Sequence, residues 1–352
     1  MISLWMKICC VVALSLGLGP LGLMSVSAQQ EPLRVATTTP ELGSLAREIG
    51  GEQVTVVVFA KGTEDAHFVE AKPSFIKELS QVDVYVQAGM DLEVGWAPVL
   101  LQNARNSKVL PGAPGYIDAS TVITPLEVPT GPVDRSMGDV HPAGNPHYLT
   151  DPLNGLRVAE LLRDTFSALR PAQQASFAER YTAFRKRLGT ALVGETLAQK
   201  YDVAKLALLF EHGRLAAFLQ SQHETQLLGG WLGQLLPYAG TKAVADHNLW
   251  PYFAQRFGLT LRGFMEPKPG VPPTTRHLQG LVQAMQAEKV GIILTSAYYD
   301  PRHAHFLAQH TGATIVPMAH QVGARPGTDD YLSMIDYDVR QLVAALGNGS
   351  GK

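Results

Sequence analysis

Residues 54–79 read VTVVVFAKGTEDAHFVEAKPSFIKEL and decide the fold class. The β-branched run at 54–60 predicts a short buried strand, and Ser74 is the predicted N-cap of a helix over the residues that follow. His67 therefore lies in a strand-to-helix loop, where α/β proteins commonly build ligand sites. A single loop histidine is more often exposed or locally hydrogen-bonded than functional, so its role depends on partners elsewhere in the chain.

The length and charge of the chain limit what it can be. At 352 residues it is too long for one ordinary core and predicts about two domains of roughly 100–200 residues each. Its 29 Lys and Arg residues are almost balanced by 31 Asp and Glu residues. This balance argues against nucleic acid as the main partner, because nucleic-acid binding needs a basic surface.

The first 28 residues predict a signal peptide rather than part of the fold. Lys7 gives a positive start, an apolar stretch follows, and Ala28 ends a small-residue cleavage site; an uncleaved membrane anchor is the alternative. Both cysteines, Cys9 and Cys10, lie in this segment and lack a lipobox-like context, so we expect no lipoprotein, no disulfide and no thiolate metal ligand. No later stretch has the roughly 18–20 apolar residues of a membrane span, so a soluble exported protein is expected.

Strand-like and helix-like runs alternate through both halves of the remaining chain. The predicted strands are 33–39, 54–60, 82–88, one opening at 109–110, 241–247, 260–265, 290–295 and 313–318. This alternation predicts βαβ units and parallel sheets. Between the halves, 171–200 has unbroken helical periodicity and would form a stiff helix of roughly 40 Å or more. The predicted organisation is an N-terminal βα domain at 29–170, a linking helix at 171–200 and a C-terminal βα domain at 201–352.

Three histidines occupy equivalent loops in this pattern. His67 and His147 lie in the first half and His247 in the second, each at the end of a strand or the start of a helix. In paired parallel sheets such loops face the crevice between the halves. Three imidazoles with one further ligand or water complete a tetrahedron around zinc or a neighbouring first-row ion. Spacings this long form no local motif, so the residues alone are also compatible with a three-histidine zinc hydrolase or a module that binds a chelated metal.

The same loops carry a family resemblance. The chain resembles the metal-binding, cluster A-I solute-binding proteins of ABC importers, the zinc- and manganese-binding receptors once called adhesins. The segments that carry the resemblance are Gly62–Ser74, Ala88–Trp96, Asn145–Asn154, His247–Leu259, Glu266–Gly270 and Tyr331–Met334. Together they cover essentially the whole predicted mature chain. The resemblance implies two βα domains joined by a rigid long helix, with a metal site in the cleft between them.

The resemblance also implies a ligand set. His67, His147 and His247 stand where the family places its first three metal ligands. Zinc-binding members have a histidine at the third place and manganese-binding members a carboxylate, so the resemblance favours Zn²⁺, with Mn²⁺ as the alternative. The family commonly has an aspartate in the loop after the last strand, where this chain has His320. His320 is therefore the expected fourth ligand, and water or Glu266 is the alternative.

Two neighbouring features complete the expected site. Asp65, two residues before His67, is expected to orient the loop or a ligand's second nitrogen rather than to bind the ion. Zinc receptors often carry a long loop rich in His and Asp before the second ligand. Here 131–146 holds only Asp134, Asp139 and His141, so a metal-collecting loop is expected to be absent or vestigial.

By this resemblance the expected function is that of a periplasmic high-affinity receptor that delivers Zn²⁺ to an ABC permease in the inner membrane. The receptor would bind without turnover and so would not be an enzyme. We expect a monomer whose partners are the permease and, as a further candidate, a metallochaperone, with no nucleic acid. A hydrolase would need an open coordination position and a general base, and no His-Glu-x-x-His motif occurs in the chain.

Overall fold

Two four-stranded parallel sheets form the framework of the computed structural model, which describes residues 31–131, 133, 140–268 and 270–349. The first sheet has the order β2-β1-β3-β4 and the second the order β6-β5-β7-β8. The strands are β1 Leu33–Thr37, β2 Val54–Val58, β3 Val84–Gln87, β4 Tyr116–Asp118, β5 Lys242–Ala245, β6 Thr260–Phe264, β7 Ile292–Thr295 and β8 Thr314–Pro317. The predicted pair of parallel βα sheets is confirmed. The predicted signal peptide at 1–28 lies outside the described residues.

The strands are short, and the central ones are buried on both faces. β1 pairs with β2 from Leu33 opposite Val54 onward, and it pairs with β3 on its other side. Leu33 and Val84 are fully buried. Burial on both faces is what parallel sheets covered by helices require, and it explains why these strands are nearly continuous apolar runs.

Thirteen α-helices connect and cover the strands within the described residues. They are α1 Pro40–Gly50, α2 Pro73–Leu79, α3 Ala97–Ala104, α4 Pro152–Leu169, α5 Gln174–Val193, α6 Glu195–Lys200, α7 Val203–Glu211, α8 Leu215–Ser221, α9 Gly230–Leu235, α10 Pro251–Phe257, α11 Thr275–Glu288, α12 Pro301–Thr311 and α13 Tyr331–Gly349. Many begin with proline, whose fixed φ and missing N–H suit the first helical turn. No helix in these ranges is long and apolar enough to cross a membrane.

The fourth strand lies later than the sequence predicts. Ser107–Val109 forms a 3-10 helix, because the Asn106 side chain accepts a hydrogen bond from the backbone N–H of Lys108. The chain then turns, and Tyr116–Asp118 pairs with β3 instead. The strand predicted at 109–110 is therefore wrong, since a local side-chain cap overrides its apolar pattern.

The predicted linking helix is present but shorter than 171–200. α5 has 20 residues, and it buries the predicted apolar stripe that runs from Phe177 to Leu192. It ends at Gly194, whose φ of +86° a residue with a side chain rarely adopts. α5 contacts both α1 of the first half and α9 of the second, so it still acts as the stiff connector between the halves.

The two halves are joined by buried polar contacts as well as by α5. The Tyr331 hydroxyl donates to the carbonyl of Leu149 at 2.7 Å. Arg256 on α10 makes two hydrogen bonds of 2.8 Å to Asp151, the residue that caps α4. The described residues from Pro32 onward form one compact unit. The carboxyl ends of both sheets are thus held at a shared interface, and the precise domain limits at 170 and 201 stay a prediction.

Candidate metal site

The three histidines predicted from the loops come together between the sheets. His67 follows β2, His147 precedes α4, and His247 lies two residues after β5. Their ring centroids are 5.2 Å apart for His67 and His147, 6.2 Å for His67 and His247, and 6.0 Å for His147 and His247. Imidazoles around one tetrahedral zinc, with Zn–N of ~2.0–2.1 Å, would have centroids about 5 Å apart. The rings are therefore close to the spacing of a shared ion.

The nitrogen atoms themselves are not yet arranged as a cage. Among the described residues, no group of three or more His, Cys, Asp or Glu side chains meets the geometry that would hold a metal ion. The case for a metal site therefore depends on ring proximity and on the hydrogen bonds that orient each ring.

Two carboxylates orient two of the rings. Asp65 Oδ1 lies 2.7 Å from Nδ1 of His67, and Glu266 Oε2 lies 2.6 Å from Nδ1 of His247. A carboxylate in this position accepts a hydrogen bond from Nδ1–H, which fixes that tautomer and leaves the Nε2 lone pair available to a metal. Burial alone would raise the pKa of Asp65, but hydrogen bonds from the His67 side chain and backbone hold that pKa below its ordinary value. Asp65 thus makes the orienting contact expected of it, and Glu266 makes an equivalent contact instead of standing free as a ligand.

His147 is fixed by its own loop. Asn145 accepts a hydrogen bond from the backbone N–H of His147 at 3.0 Å, and the Thr150 hydroxyl donates to its carbonyl at 2.9 Å. The Asp151 side chain then caps α4 by accepting from the N–H of Leu153. α4 therefore begins directly after Asp151, and this start sets the direction in which the loop presents His147.

His320 lies on the core side of the cluster. Its ring centroid is 4.8 Å from that of His147 and 5.5 Å from that of Trp250, and its Nδ1 is 3.1 Å from the Tyr298 hydroxyl. The preceding residue, Ala319, donates its N–H to the buried carboxylate of Asp338 at 2.6 Å. The structure therefore brings His320 to the predicted site, next to His147.

The loop of His320 is also positioned by the N-terminal half. Val322 donates its backbone N–H to the buried side chain of Glu41 on α1 at 3.0 Å. At Gly62, a Cβ would lie less than 3.0 Å from the backbone of Val322 and Ala324, so the two loops meet at van der Waals distance. Only glycine permits this approach. The loops of His67 and His320 thus support each other across the cleft.

A fifth histidine, His141, was missed as a site residue by sequence reasoning. Its Nε2 lies 3.0 Å from Nε2 of His67, and the two rings stack at 5.1 Å with an interplanar angle of 29°. The sequence reasoning treated His141 as a remnant of a collecting loop. A usable signal was present, because His141 and His147 lie six residues apart within one short segment.

Burial keeps several of these rings neutral. His147 and His320 are 6% and 8% exposed. Burial and the neighbouring His320 and His67 hold the pKa of His147 well below its ordinary value, and burial lowers the pKa of His320 to about 3. Burial, with the neighbouring His67, lowers the pKa of His141 to about 4. Neutral imidazole is the form that binds metal, so these rings are ready to coordinate at neutral pH.

The cluster is open on one side and closed on the other. A cavity of about 480 Å³ reaches His67 and His141 past Phe68, and a second of about 220 Å³ reaches His141, His147 and His247 past Glu127 and Asn248. The inner space beside His320 has a volume of only about 30 Å³. An ion from solvent would therefore approach from the side of His141.

Comparison with known proteins agrees with this geometry. The family model of the periplasmic zinc-uptake complex component A, ZnuA, matches residues 35–227 and 230–345. The chain is 22% identical over 326 residues to the manganese-binding lipoprotein MntA of Halalkalibacterium halodurans, covering 91% of this chain and 90% of that protein. It is 19% identical over 345 residues to the metal ABC transporter substrate-binding lipoprotein SloC of Streptococcus mutans, covering 96% and 97%.

Solved structures share the fold. A crystal structure of ZnuA superimposes with a TM-score of 0.65 at 20% identity and covers 90% of this chain and 99% of that one. A manganese-bound mutant of a periplasmic metal-binding protein from Candidatus Liberibacter asiaticus gives a TM-score of 0.62 at 15% identity, covering 89% and 99%. The members of the matched family are substrate-binding receptors and not enzymes, so the hydrolase alternative is set aside. The chain belongs to the ZnuA family of metal-binding, extracytoplasmic substrate-binding receptors of ABC transporters.

Proposed function

We propose that this receptor binds Zn²⁺ with high affinity and delivers it to an ABC permease in the inner membrane. The observation that carries the proposal is the ligand chemistry of the cluster. The side chains that offer a free ligand atom are imidazoles, while the nearby carboxylates of Asp65 and Glu266 are engaged on the Nδ1 atoms of His67 and His247. Imidazole suits zinc, whereas manganese prefers carboxylate and other oxygen ligands.

The proposed ligands of the ion are His67, His147 and His247, with His320 as the fourth ligand on the core side of the cluster. Its mechanism is coordination without turnover. The carboxylate partners of His67 and His247 leave the Nε2 lone pairs of these rings available to the ion and raise the basicity of those nitrogens. Binding weakens in acid because protons compete for the same lone pairs. Release to the permease would follow when the loops of His67 and His320, which meet at Gly62, are drawn apart.

Manganese is the second candidate, since MntA and the Liberibacter protein are described as manganese-binding. The chain itself offers one route to it. If Asp65 or Glu266 turned from its histidine toward the ion, the shell would gain the oxygen ligands that Mn²⁺ prefers.

Affinity alone does not discriminate between the two metals, because almost any site of this kind binds zinc more tightly than manganese. The decisive measurement combines titration calorimetry with metal analysis of protein purified from cells grown with both ions. We expect one tightly bound Zn²⁺ per chain and little manganese. Stoichiometric manganese in the purified protein, or no tight zinc binding, would overturn the proposal. Loss of zinc-dependent growth on deletion of the gene, restored by the intact chain, would support the transport role.

We further propose that the chain reaches the periplasm through a cleaved signal peptide at 1–28, that it acts as a monomer, and that a metallochaperone is a second candidate partner. MntA and SloC are described as lipoproteins, so a lipid-anchored form is the competing possibility. Mass spectrometry of the mature N-terminus distinguishes the two, since a lipid adds a large, apolar mass to a cysteine. Light scattering of the purified chain, with and without zinc, tests the monomer.

A further inference from the structure

Two tight turns, one from each half of the chain, pack against each other beside the histidine cluster. Residues 61–64 form a turn just before His67, and residues 321–324 form a turn just after His320. In each turn, the N–H of the last residue donates to the carbonyl of the first at 3.0 Å. Any contact between the two turns therefore acts on the distance between the loops of His67 and His320.

The side chain of Gln321 joins the two turns. It is 2% exposed, and the carbonyl oxygens of Lys61 and Glu64 both face one end of its amide, at 2.8 and 3.0 Å. Only the Nε2 group, with its two N–H bonds, can satisfy two acceptors, so Gln321 donates to both carbonyls. These two hydrogen bonds are called the turn contact below. A buried amide that lost them would be left without acceptors, which costs free energy.

Two further contacts hold the tip of the His320 loop to the N-terminal half. The backbone N–H of Val322 donates to the buried side chain of Glu41, and Gly62 lies against the backbone of Val322 and Ala324. His320 thus belongs to the C-terminal half by sequence, but the residues that follow it are held by the N-terminal half. The turn contact is the part of this arrangement that one side chain provides and that a substitution can remove.

We propose that Gln321 is a positioning residue that fixes the separation of the His67 and His320 loops and thereby slows the release of the ion. This inference rests on the proposed function, in which both histidines are ligands of Zn²⁺. An ion held by both loops leaves only after its ligands detach in turn. While the turn contact is intact, a detached ligand stays beside the ion at high effective concentration and rebinds.

Capture of the ion has a different dependence. Its rate is set by the encounter of the ion with a first ligand, and this encounter does not require the two loops to be joined. Loss of the turn contact should therefore act mainly on the release rate. A residue that only stabilises the fold would change the melting temperature without this division between release and capture.

The test uses two substitutions at position 321. Gln321→Met keeps the length of the side chain but has no donor. Gln321→Asn keeps the amide but withdraws it by about 1.5 Å, beyond hydrogen-bond distance of the two carbonyls. If one variant fails to fold, the other carries the comparison.

Asn106→Leu is the matched control. The Asn106 amide likewise donates to two backbone carbonyls, those of Leu79 and Val82, each at 2.8 Å. All three residues belong to the N-terminal half, so this substitution removes the same kind of contact without affecting the junction of the two turns.

Three quantities are measured on each purified protein. The release rate of Zn²⁺ is followed by stopped flow in excess chelator, at concentrations where the rate no longer depends on the chelator. The capture rate is followed by competition with a zinc-sensitive dye. The Tm of the zinc-free protein reports the stability of the fold.

We expect both Gln321 variants to release Zn²⁺ about 10-fold faster, equivalent to about 1.4 kcal/mol, with the capture rate changed less than about threefold. This magnitude is what two hydrogen bonds between neutral groups typically contribute. Asn106→Leu should lower the Tm of the zinc-free protein but leave the release rate unchanged.

The outcomes separate this inference from the proposed function. If the unaltered chain binds no zinc, the proposed function fails and this inference fails with it. If the unaltered chain binds zinc and the Gln321 variants release it at the unaltered rate, only the role of Gln321 is wrong. Equal acceleration of release by Asn106→Leu would attribute the effect to lost stability in general and overturn the inference. Failure of both Gln321 variants to fold would likewise overturn it, because Gln321 would then be a residue of stability.

Discussion

Glu266 provides the sharpest test of how the site is built. Its Oε2 lies 2.6 Å from Nδ1 of His247 and also accepts from the backbone N–H of Gly270 at 3.0 Å. Glu266→Gln keeps the size and one acceptor oxygen but removes the charge. His247 can then rotate more freely, and its Nε2 becomes a weaker donor to the ion.

The magnitude follows from the type of contact. Loss of a partner that orients a metal-bound histidine typically costs 10–100-fold in affinity, which is about 1.4–2.7 kcal/mol. The side chains of both residues are nearly buried, at 5% exposure for His247 and 11% for Glu266, so solvent screening reduces the effect little. We therefore expect Zn²⁺ affinity to fall by one to two orders of magnitude, with the stoichiometry unchanged.

The assay is chelator competition, with the Co²⁺ spectrum as a second measurement. Glu288→Gln is a matched control, because it makes the same change at a glutamate that pairs with Arg262, at 34% side-chain exposure, instead of with a ring of the cluster. If Glu266 only orients His247, the Co²⁺ bands should keep their intensity. A binding constant within twofold of the unaltered protein would refute the orienting role, and a collapse of the Co²⁺ bands would mean that Glu266 is itself a ligand.

Three further changes test how the halves are held together. Gly62→Ala forces a methyl group against the backbone of Val322, so it should lower both the Tm in thermal melts and the zinc affinity in competition assays. If neither the Tm nor the zinc affinity changes, the close approach of the two loops is contradicted. Burial raises the pKa of Glu41 from its ordinary 4.5 to about 7. The free energy of unfolding therefore falls by about 3 kcal/mol as pH rises from 4.5 to 7, at roughly 1.4 kcal/mol for each pH unit. Glu41→Gln should remove that loss, so the stability of the variant relative to the unaltered protein, measured by urea unfolding, should increase with pH over this range. A difference in stability that stays constant with pH would contradict the raised pKa. Arg256→Met leaves the buried Asp151 carboxylate unpaired and should cost about 3–5 kcal/mol in urea unfolding without changing zinc stoichiometry, whereas a loss below 1 kcal/mol would contradict a structural role for the pair.

The periodic elements could be predicted from sequence because their causes are local. The apolar, β-branched run at 54–58 and the proline and aspartate at the start of α4 determine a strand and a helix start without reference to distant residues. Where prediction failed, a local cap or one backbone angle decided the outcome. Asn106 turned a strand-like pattern into a 3-10 helix, and Gly194 ended α5 within a continuous helical pattern.

The residues of the candidate site likewise divide into those that local sequence determines and those that only tertiary packing brings together. The sequence by itself determined which loops carry His67, His147 and His247, and the family resemblance added His320, because each stands beside an element whose own pattern is clear. The tertiary structure alone decided that Glu266 serves His247 and that His141 touches His67, since those pairs are 19 and 74 residues apart. Such contacts depend on how two sheets meet across a cleft, and nothing in the local pattern of either residue records where its partner will lie. The sequence of the loop at 62–74 thus determined that a histidine would face the cleft, and the packing of the two halves decided what surrounds that histidine.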